Sequence, residues 1–339
     1  MNASPCTGRQ AKRWKAWLVT AAVALPSLAV AANSPAGASH FMTVTWTKKA
    51  PAPLGRSEAL GAAVGGKLYV FSGYLDTTYS PTKRADVYDP ATNTWSPIED
   101  LPQGTTHAGT AVDGTNVYLA GGYIAKEGGG QIFATKAVWK YDTVLDQWSS
   151  MPPLPQARGG GAMAAVGGEL HFFGGSNSRR VDRGEHFVLK LGETSWSTSA
   201  ASLPNPRNHL GAAVAGGKIY AVGGQRGQDA KAVIQDSVHV WDPSAPGAWS
   251  EVASLPRGRS HIMASVFSMD DHVLVAGGNY GSGMTTADVA SYDPVSDSWT
   301  PLTPLPAPRR SGVGAGVGNA IFFTTGSFRT TTYKGVPGT

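Results

Sequence analysis

Six tryptophans, Trp46, Trp95, Trp148, Trp196, Trp249 and Trp299, stand 49, 53, 48, 53 and 50 residues apart. No other feature of the chain restricts its fold so strongly. A bulky indole returning at a near-constant interval marks a repeated unit, and a unit of about fifty residues gains its core by stacking on the next copy. Burying ~150–250 Å² per indole at ~25 cal/mol/Å² is worth ~4–6 kcal/mol gross, so one tryptophan per unit reads as a wedge between units.

The residues between the tryptophans describe four strands per unit. About ten residues after each Trp comes a polar position, Arg56, Thr105, Arg158, Arg207, Arg259 or Arg309, preceded by a Leu-Pro such as Leu203-Pro204. Proline there ends one strand and sets the turn into the next. A small-residue strand follows, as over 59–64 or 211–214, then a two-residue hairpin at Gly65-Gly66, Gly167-Gly168 or Gly216-Gly217. Both hairpin positions need positive φ, which glycine supplies. The second strand is apolar, as over 219–222, and ends in a glycine pair such as Gly121-Gly122 or Gly223-Gly224. The third closes on an aromatic and a turn, Tyr88-Asp89-Pro90 or Trp241-Asp242-Pro243, and the fourth begins near the Trp. Glycines number 43 and charged residues make up 15%. That composition suits many turns and few long helices.

Period, glycine pair and late tryptophan together resemble the kelch-repeat family across the sequence from residue 39 onward. The resemblance implies an all-β fold, a six-bladed β-propeller. The end bookkeeping agrees: after Trp299 only three strands remain, near 310–316, 321–324 and 330–334, while one orphan strand precedes the first full unit at 41–46. Joining them makes a sixth blade closed by the N-terminal strand and removes two open edges. The architecture is similar to that of the exported bacterial sialic acid mutarotase and of the galactose oxidase central domain. Galactose oxidase chemistry needs a cysteine-tyrosine crosslink, and Cys6 is the only cysteine. The mutarotase resemblance implies a carboxylate after a glycine-containing strand end, where this chain has Gln225.

Residues 1–31 read as a secretory signal. Arg9, Lys12, Arg13 and Lys15 precede an apolar run over 16–30, and Ala29-Val30-Ala31 is a small-x-small cleavage site, with Ala36-Gly37-Ala38 as an alternative. Fifteen apolar residues fall short of the ~20 that span a bilayer. The expectation is export, to the periplasm or beyond, of a monomeric propeller over 39–339 with no membrane attachment after processing. The formal charge of +5 largely belongs to the leader, since 24 basic residues against 23 acidic ones follow it. No nucleic-acid footprint is expected from that balance.

Function is expected where the start of the first strand and the end of the second share one face. On a period-two strand, residues two apart point the same way. That places the arginine ring beside Glu58, His107, Gly160, His209, His261 and Ser311. The expected ligand-binding residues are Arg56, Glu58, His107, Arg158, Arg207, His209, Arg226, Arg259, His261 and Arg309. Such a face suits a carbohydrate, particularly an acidic or polyhydroxylated one, or a protein partner. The alternative for the arginines is that they cap backbone carbonyls, and the alternative to a binding module is a sugar mutarotase or epimerase. No cofactor is expected. A metal triad of His107, His209 and His261 is set aside, because the three lie on units expected to be well separated around a ring. Gly61 to Lys67 mimics a phosphate-binding loop, but Leu68 stands where Ser or Thr is required.

Overall fold

The computed structural model describes residues 43–338. The leader over 1–31 and its alternative boundary at 38 lie outside the described residues. Among those described, a single turn of 3-10 helix at Asp229–Lys231 interrupts an otherwise all-strand structure, and no helix is long and apolar enough to cross a membrane.

Six four-stranded antiparallel sheets follow one another along the chain. Sheet one comprises Leu60–Val64, Lys67–Phe71, Ala85–Asp89 and Thr94–Ile98. Sheet two comprises Gly109–Asp113, Asn116–Ala120, Val138–Asp142 and Gln147–Ser150. Sheet three comprises Gly159–Val166, Glu169–Ser176, His186–Lys190 and Ser197–Ala200. Sheet four comprises Gly211–Ala215, Lys218–Val222, Val238–Trp241 and Ser250–Val252. Sheet five comprises Val266–Met269, His272–Ala276, Val289–Asp293 and Ser298–Leu302. Sheet six takes Gly312–Val317, Ala320–Thr325 and Thr332–Gly338 from the end of the chain and Thr43–Lys49 from its beginning. The last two pair over seven positions, from Thr43 opposite Gly338 to Lys49 opposite Thr332.

The second strand of each sheet is buried on both faces, which is why it reads as an unbroken apolar run, Lys218–Val222 being exposed only at its lysine. First strands carry Gly and Ala because neighbouring sheets converge there. A Cβ on Gly211 would stand 2.3 Å from Cγ2 of Val266 in the next sheet. The core is divided into six apolar clusters, each filling the gap between two consecutive sheets. One holds Leu68 and Tyr88 of sheet one against Val313 and Phe322 of sheet six.

The tryptophans connect the sheets by hydrogen bonds as well as by packing. Each indole N–H donates to a carbonyl just beyond the preceding Trp: Trp95 to Ala50, Trp148 to Glu99, Trp196 to Pro152, Trp249 to Ala201 and Trp299 to Ala253, at 2.8–3.1 Å. Trp46 completes the series by donating to Thr303 at 3.1 Å. Trp196 and Trp249 are buried, and the other four are partly buried. All six nonetheless pack in or against an inter-sheet cluster, as expected of a wedge, four of them with one edge in solvent.

The glycine pairs make the second inter-sheet connection. Gly223, with φ at +53°, leaves no room for a side chain, since a Cβ there would meet the Arg259 carbonyl oxygen at 2.6 Å. The next N–H, from Gly224, donates to that same oxygen at 2.7 Å. The same bond joins Gly122 to Arg158, Gly175 to Arg207 and Gly278 to Arg309.

Candidate functional site

A ring of left-handed backbone sits just before the first strands. Glu58, His107, Gly160, His209, His261 and Ser311 have φ between +51° and +71°. Three inter-sheet bonds run head to tail through it, Gly160 N–H to His107, His209 N–H to Gly160 and Ser311 N–H to His261, at 2.7–3.0 Å. A non-glycine residue in this region pays a steric cost. Here it is held by hydrogen bonds to neighbouring sheets.

This conformation corrects one expectation. The arginine ring and the residues two positions later do not point the same way, because period-two alternation holds only for extended backbone, and each second member is left-handed. The arginines turn back into their own sheets. Arg207 is fully buried, and its Nε donates to Gly223 O at 2.7 Å while Nη2 donates to Ala221 O at 3.1 Å. Arg56 reaches Val70 O and pairs with Asp86, and Arg259 reaches Asp288 O at 2.8 Å. Arg158 pairs with Glu185 at 2.9 Å, and Arg309 donates to Pro308 O. All five are buried and bonded to the scaffold. Arg226 is exposed and borders a separate outer groove with Asp182, Pro206 and Lys231. The six expected arginines thus lie outside the cavity that the other expected residues form.

That cavity, of about 480 Å³, takes lining from all six sheets or their loops. Glu58, His107, His209 and His261 are on its floor. The imidazoles of His107 and His209 meet edge to face with centroids 4.8 Å apart, and those of His209 and His261 are 4.3 Å apart. Glu58 lies among them: one oxygen is 3.7 Å from His107 Nε2, the other 3.8 Å from His261 Nε2 and bonded by the Ser311 hydroxyl. The separation expected between units is therefore absent at this end, where the small first-strand residues let the sheets close in.

Each imidazole is oriented by the residue directly before it. His107 Nδ1 faces Thr106 Oγ1 at 3.0 Å; that hydroxyl donates to the Tyr74 hydroxyl, which in turn donates to Gln131. With its own proton committed, the Thr106 oxygen accepts from Nδ1–H. Asn208 Nδ2 donates to Asp182 and to Gly227 O, so its carbonyl oxygen receives the Nδ1–H of His209. His261 Nδ1 faces the Ser260 hydroxyl at 2.9 Å. His107 and His209 thereby keep Nε2 as the lone-pair nitrogen. Burial, and secondarily the neighbouring imidazoles, hold all three well below the usual imidazole range, so they are neutral at pH 7. Burial lifts Glu58 to about 7, opposed by the Ser311 hydrogen bond and the charge of Arg310.

The walls are aromatic: Tyr74, Tyr79, Tyr123, Phe133 and Phe328. Tyr123 stacks on His107 at 4.3 Å, and burial pushes its hydroxyl up to about 12. At the rim Arg180 forms a two-pronged pair with Asp229 at 2.7 and 3.1 Å while its guanidinium lies 4.6 Å over the Phe133 ring. Gln225, Gln228 and Asn279 add amides. Several of these residues share one position in the repeat. The residue directly after the glycine pair, Tyr74, Tyr123, Gln225 or Asn279, pairs in backbone register with the residue just before Glu58 or a ring histidine. The repeat therefore brings both positions to the cavity together.

Comparison with known proteins identifies the repeat. The KLHDC2/KLHL20/DRC7 Kelch-repeats domain matches residues 106–326, and the Kelch motif matches 55–102. A Kelch-like protein, terF, from Aspergillus terreus is 27% identical over 78% of this chain and 59% of its own length. Kelch-like protein 25 of Xenopus tropicalis is 27% identical over 76% of this chain and 42% of its own, and Kelch-like protein 23 of Homo sapiens 26% identical over 77% and 43%. The chain spans roughly half the length of these curated relatives.

Proposed function

The chain belongs to the kelch-repeat family, and from that premise we propose a ligand-binding module, its six sheets the blades of one closed propeller, that takes a carbohydrate into the cavity at the Glu58 end. Closure is supported by the pairing of the first strand with the last and by the cluster that joins sheets six and one. The ligand reading rests on the composition of the cavity, in which five aromatic side chains face buried polar groups within about 480 Å³. That volume suits a small molecule of one or two rings. Aromatic faces cover the apolar side of a sugar ring, while the imidazoles, Gln225 and Asn279 meet its hydroxyls. A protein partner presenting one side chain or a chain terminus would use the same opening, in keeping with the kelch-like relatives. We further propose that residues 1–31 direct export and are removed.

A glycan and peptide binding screen on the chain tests this reading. Tyr123→Ala and His209→Ala are expected to abolish binding, and Arg226→Ala to leave it intact. Binding that survives both cavity substitutions sinks the proposal. A carbohydrate-directed enzyme of mutarotase type is a second reading, favoured by one carboxyl group placed among three imidazoles on a cavity floor. It predicts faster interconversion of sugar anomers, read by NMR, and loss of that rate in Glu58→Gln. Gln225 occupies the position where the mutarotase resemblance calls for a carboxylate, and weakens this second reading.

A further inference from the structure

We propose that Glu58, His209 and His261 form a binding site for a divalent transition-metal ion of the zinc class. The inference is independent of which organic ligand the cavity takes. The three residues come from sequence positions far apart, yet one donor atom of each lies within 4.8 Å of the others. Glu58 Oε1 and His261 Nε2 stand 3.8 Å apart. A tetrahedral zinc with bonds of ~2.0–2.1 Å holds its donors ~3.4 Å apart, so an inward movement of about 1 Å completes the set.

Compactness alone would not make this a metal site; the second observation is the orientation of the imidazoles. A ligating histidine presents one nitrogen to the metal and donates the other N–H to a fixed acceptor. His209 does this: its Nδ1–H is held by Asn208 Oδ1, whose amide nitrogen is anchored on Asp182 at 2.5 Å and on Gly227 O at 3.2 Å. His261 has the Ser260 hydroxyl at the corresponding place. His209 is therefore held with Nε2 as its lone-pair nitrogen, and the Nε2 of His261 faces the Glu58 carboxylate. Ser311 donates to Glu58 and steadies the third donor. Two imidazoles and one carboxylate are borderline donors that suit zinc, cobalt or iron(II) and disfavour magnesium and calcium, which take oxygen ligands. With three protein donors the ion keeps an open position toward the cavity, where a hydroxyl or carboxylate of a bound molecule would coordinate.

The test is equilibrium dialysis of the metal-stripped chain against zinc, with cobalt(II) as a spectroscopic probe. The expected result is one ion per chain, a dissociation constant in the micromolar range or tighter, and visible absorption typical of four- or five-coordinate cobalt. Glu58→Gln and His261→Asn should each weaken binding at least about tenfold. Asn208→Ala, which keeps all three donors but frees the His209 ring, should weaken it by roughly 10–100-fold. Magnesium should not compete. The proposal is overturned if the wild-type chain binds no zinc at millimolar concentration, or if Glu58→Gln and His261→Asn leave stoichiometry and affinity unchanged. Since the wild-type measurement needs no variant, a substitution that fails to fold does not protect the claim. Zinc binding without glycan binding would sink the carbohydrate reading alone, and the reverse would sink this one alone.

Discussion

Replacing Arg207 by alanine separates a scaffold role from a ligand role for the arginine ring. The side chain is fully buried with no carboxylate in hydrogen-bond contact, and it donates to the carbonyls of Gly223, Ala221 and Asn205. Alanine leaves the two buried acceptors, Gly223 O and Ala221 O, unmet at about 1–3 kcal/mol each. It also removes two buried methylenes, Cγ and Cδ, worth about 0.8 kcal/mol apiece. Against this stands relief of charge burial: the desolvation that pulls Arg207 down to about 10 corresponds to roughly 3 kcal/mol. The net is a loss of about 3 kcal/mol. Unfolding entropy of ~2.1 cal/mol/K per residue over roughly 300 residues is ~0.6 kcal/mol/K, so the midpoint should fall by about 5 °C. Calorimetry or a fluorescence melt reads this directly. Arg207→Met, which keeps the stem and loses the charge, should fall between alanine and wild type. A melt within about 1 °C of wild type for Arg207→Ala, or loss of ligand binding with an unchanged melt, would refute the scaffold assignment.

Gly223→Ala should cost more than the ~1 kcal/mol typical of a glycine in left-handed backbone, because its Cβ also collides with the Arg259 carbonyl at 2.6 Å; urea unfolding should show a lower midpoint, and an unchanged one would contradict the close approach. Trp299→Phe removes the indole donor to Ala253 O and should cost about 1 kcal/mol, or ~2 °C of melting temperature, with ligand binding retained. Away from the cavity, His171 and His186 are buried against each other, and burial lowers them to about 4 and about 3. Their folded values lie below the unfolded value of ~6.5, so their stabilisation is complete above that pH and is lost as pH falls toward the folded values. Between pH 7 and 5 each should contribute about 2 kcal/mol of lost stability. Urea midpoints at the two pH values should converge in the double variant His171→Gln, His186→Gln, and an undiminished difference would refute the assignment.

How far the chain could be read before its structure differs by level. The strands, the hairpin glycines and the position of each Trp follow local rules of periodicity and backbone freedom, and a six-fold repeat states each rule six times. Five of the six second strands fall within one residue of where the apolar runs place them, because a strand buried on both faces needs such a run; Glu169–Ser176 runs three residues past its apolar run. The arginines show where local rules stop. Arg-x-His in a sequence looks like two neighbours on one face, but positive φ at the second position turns the two side chains apart. The polar residue before each ring histidine was visible in the sequence, yet its meaning depends on where the ring nitrogen points.

By itself, then, the sequence determined that this is a repeated all-β chain with strands of known place and kind. Only the tertiary structure decided that Glu58, His209 and His261, 151 and 52 residues apart in succession, share one cavity floor. The reason is physical. Strand identity is set within a few residues by pattern and turn chemistry. The distance between residues on different sheets is set by how closely those sheets pack, and here glycine and alanine on the inner strands bring imidazole centroids to 4.3 Å. That distance belongs to no single repeat.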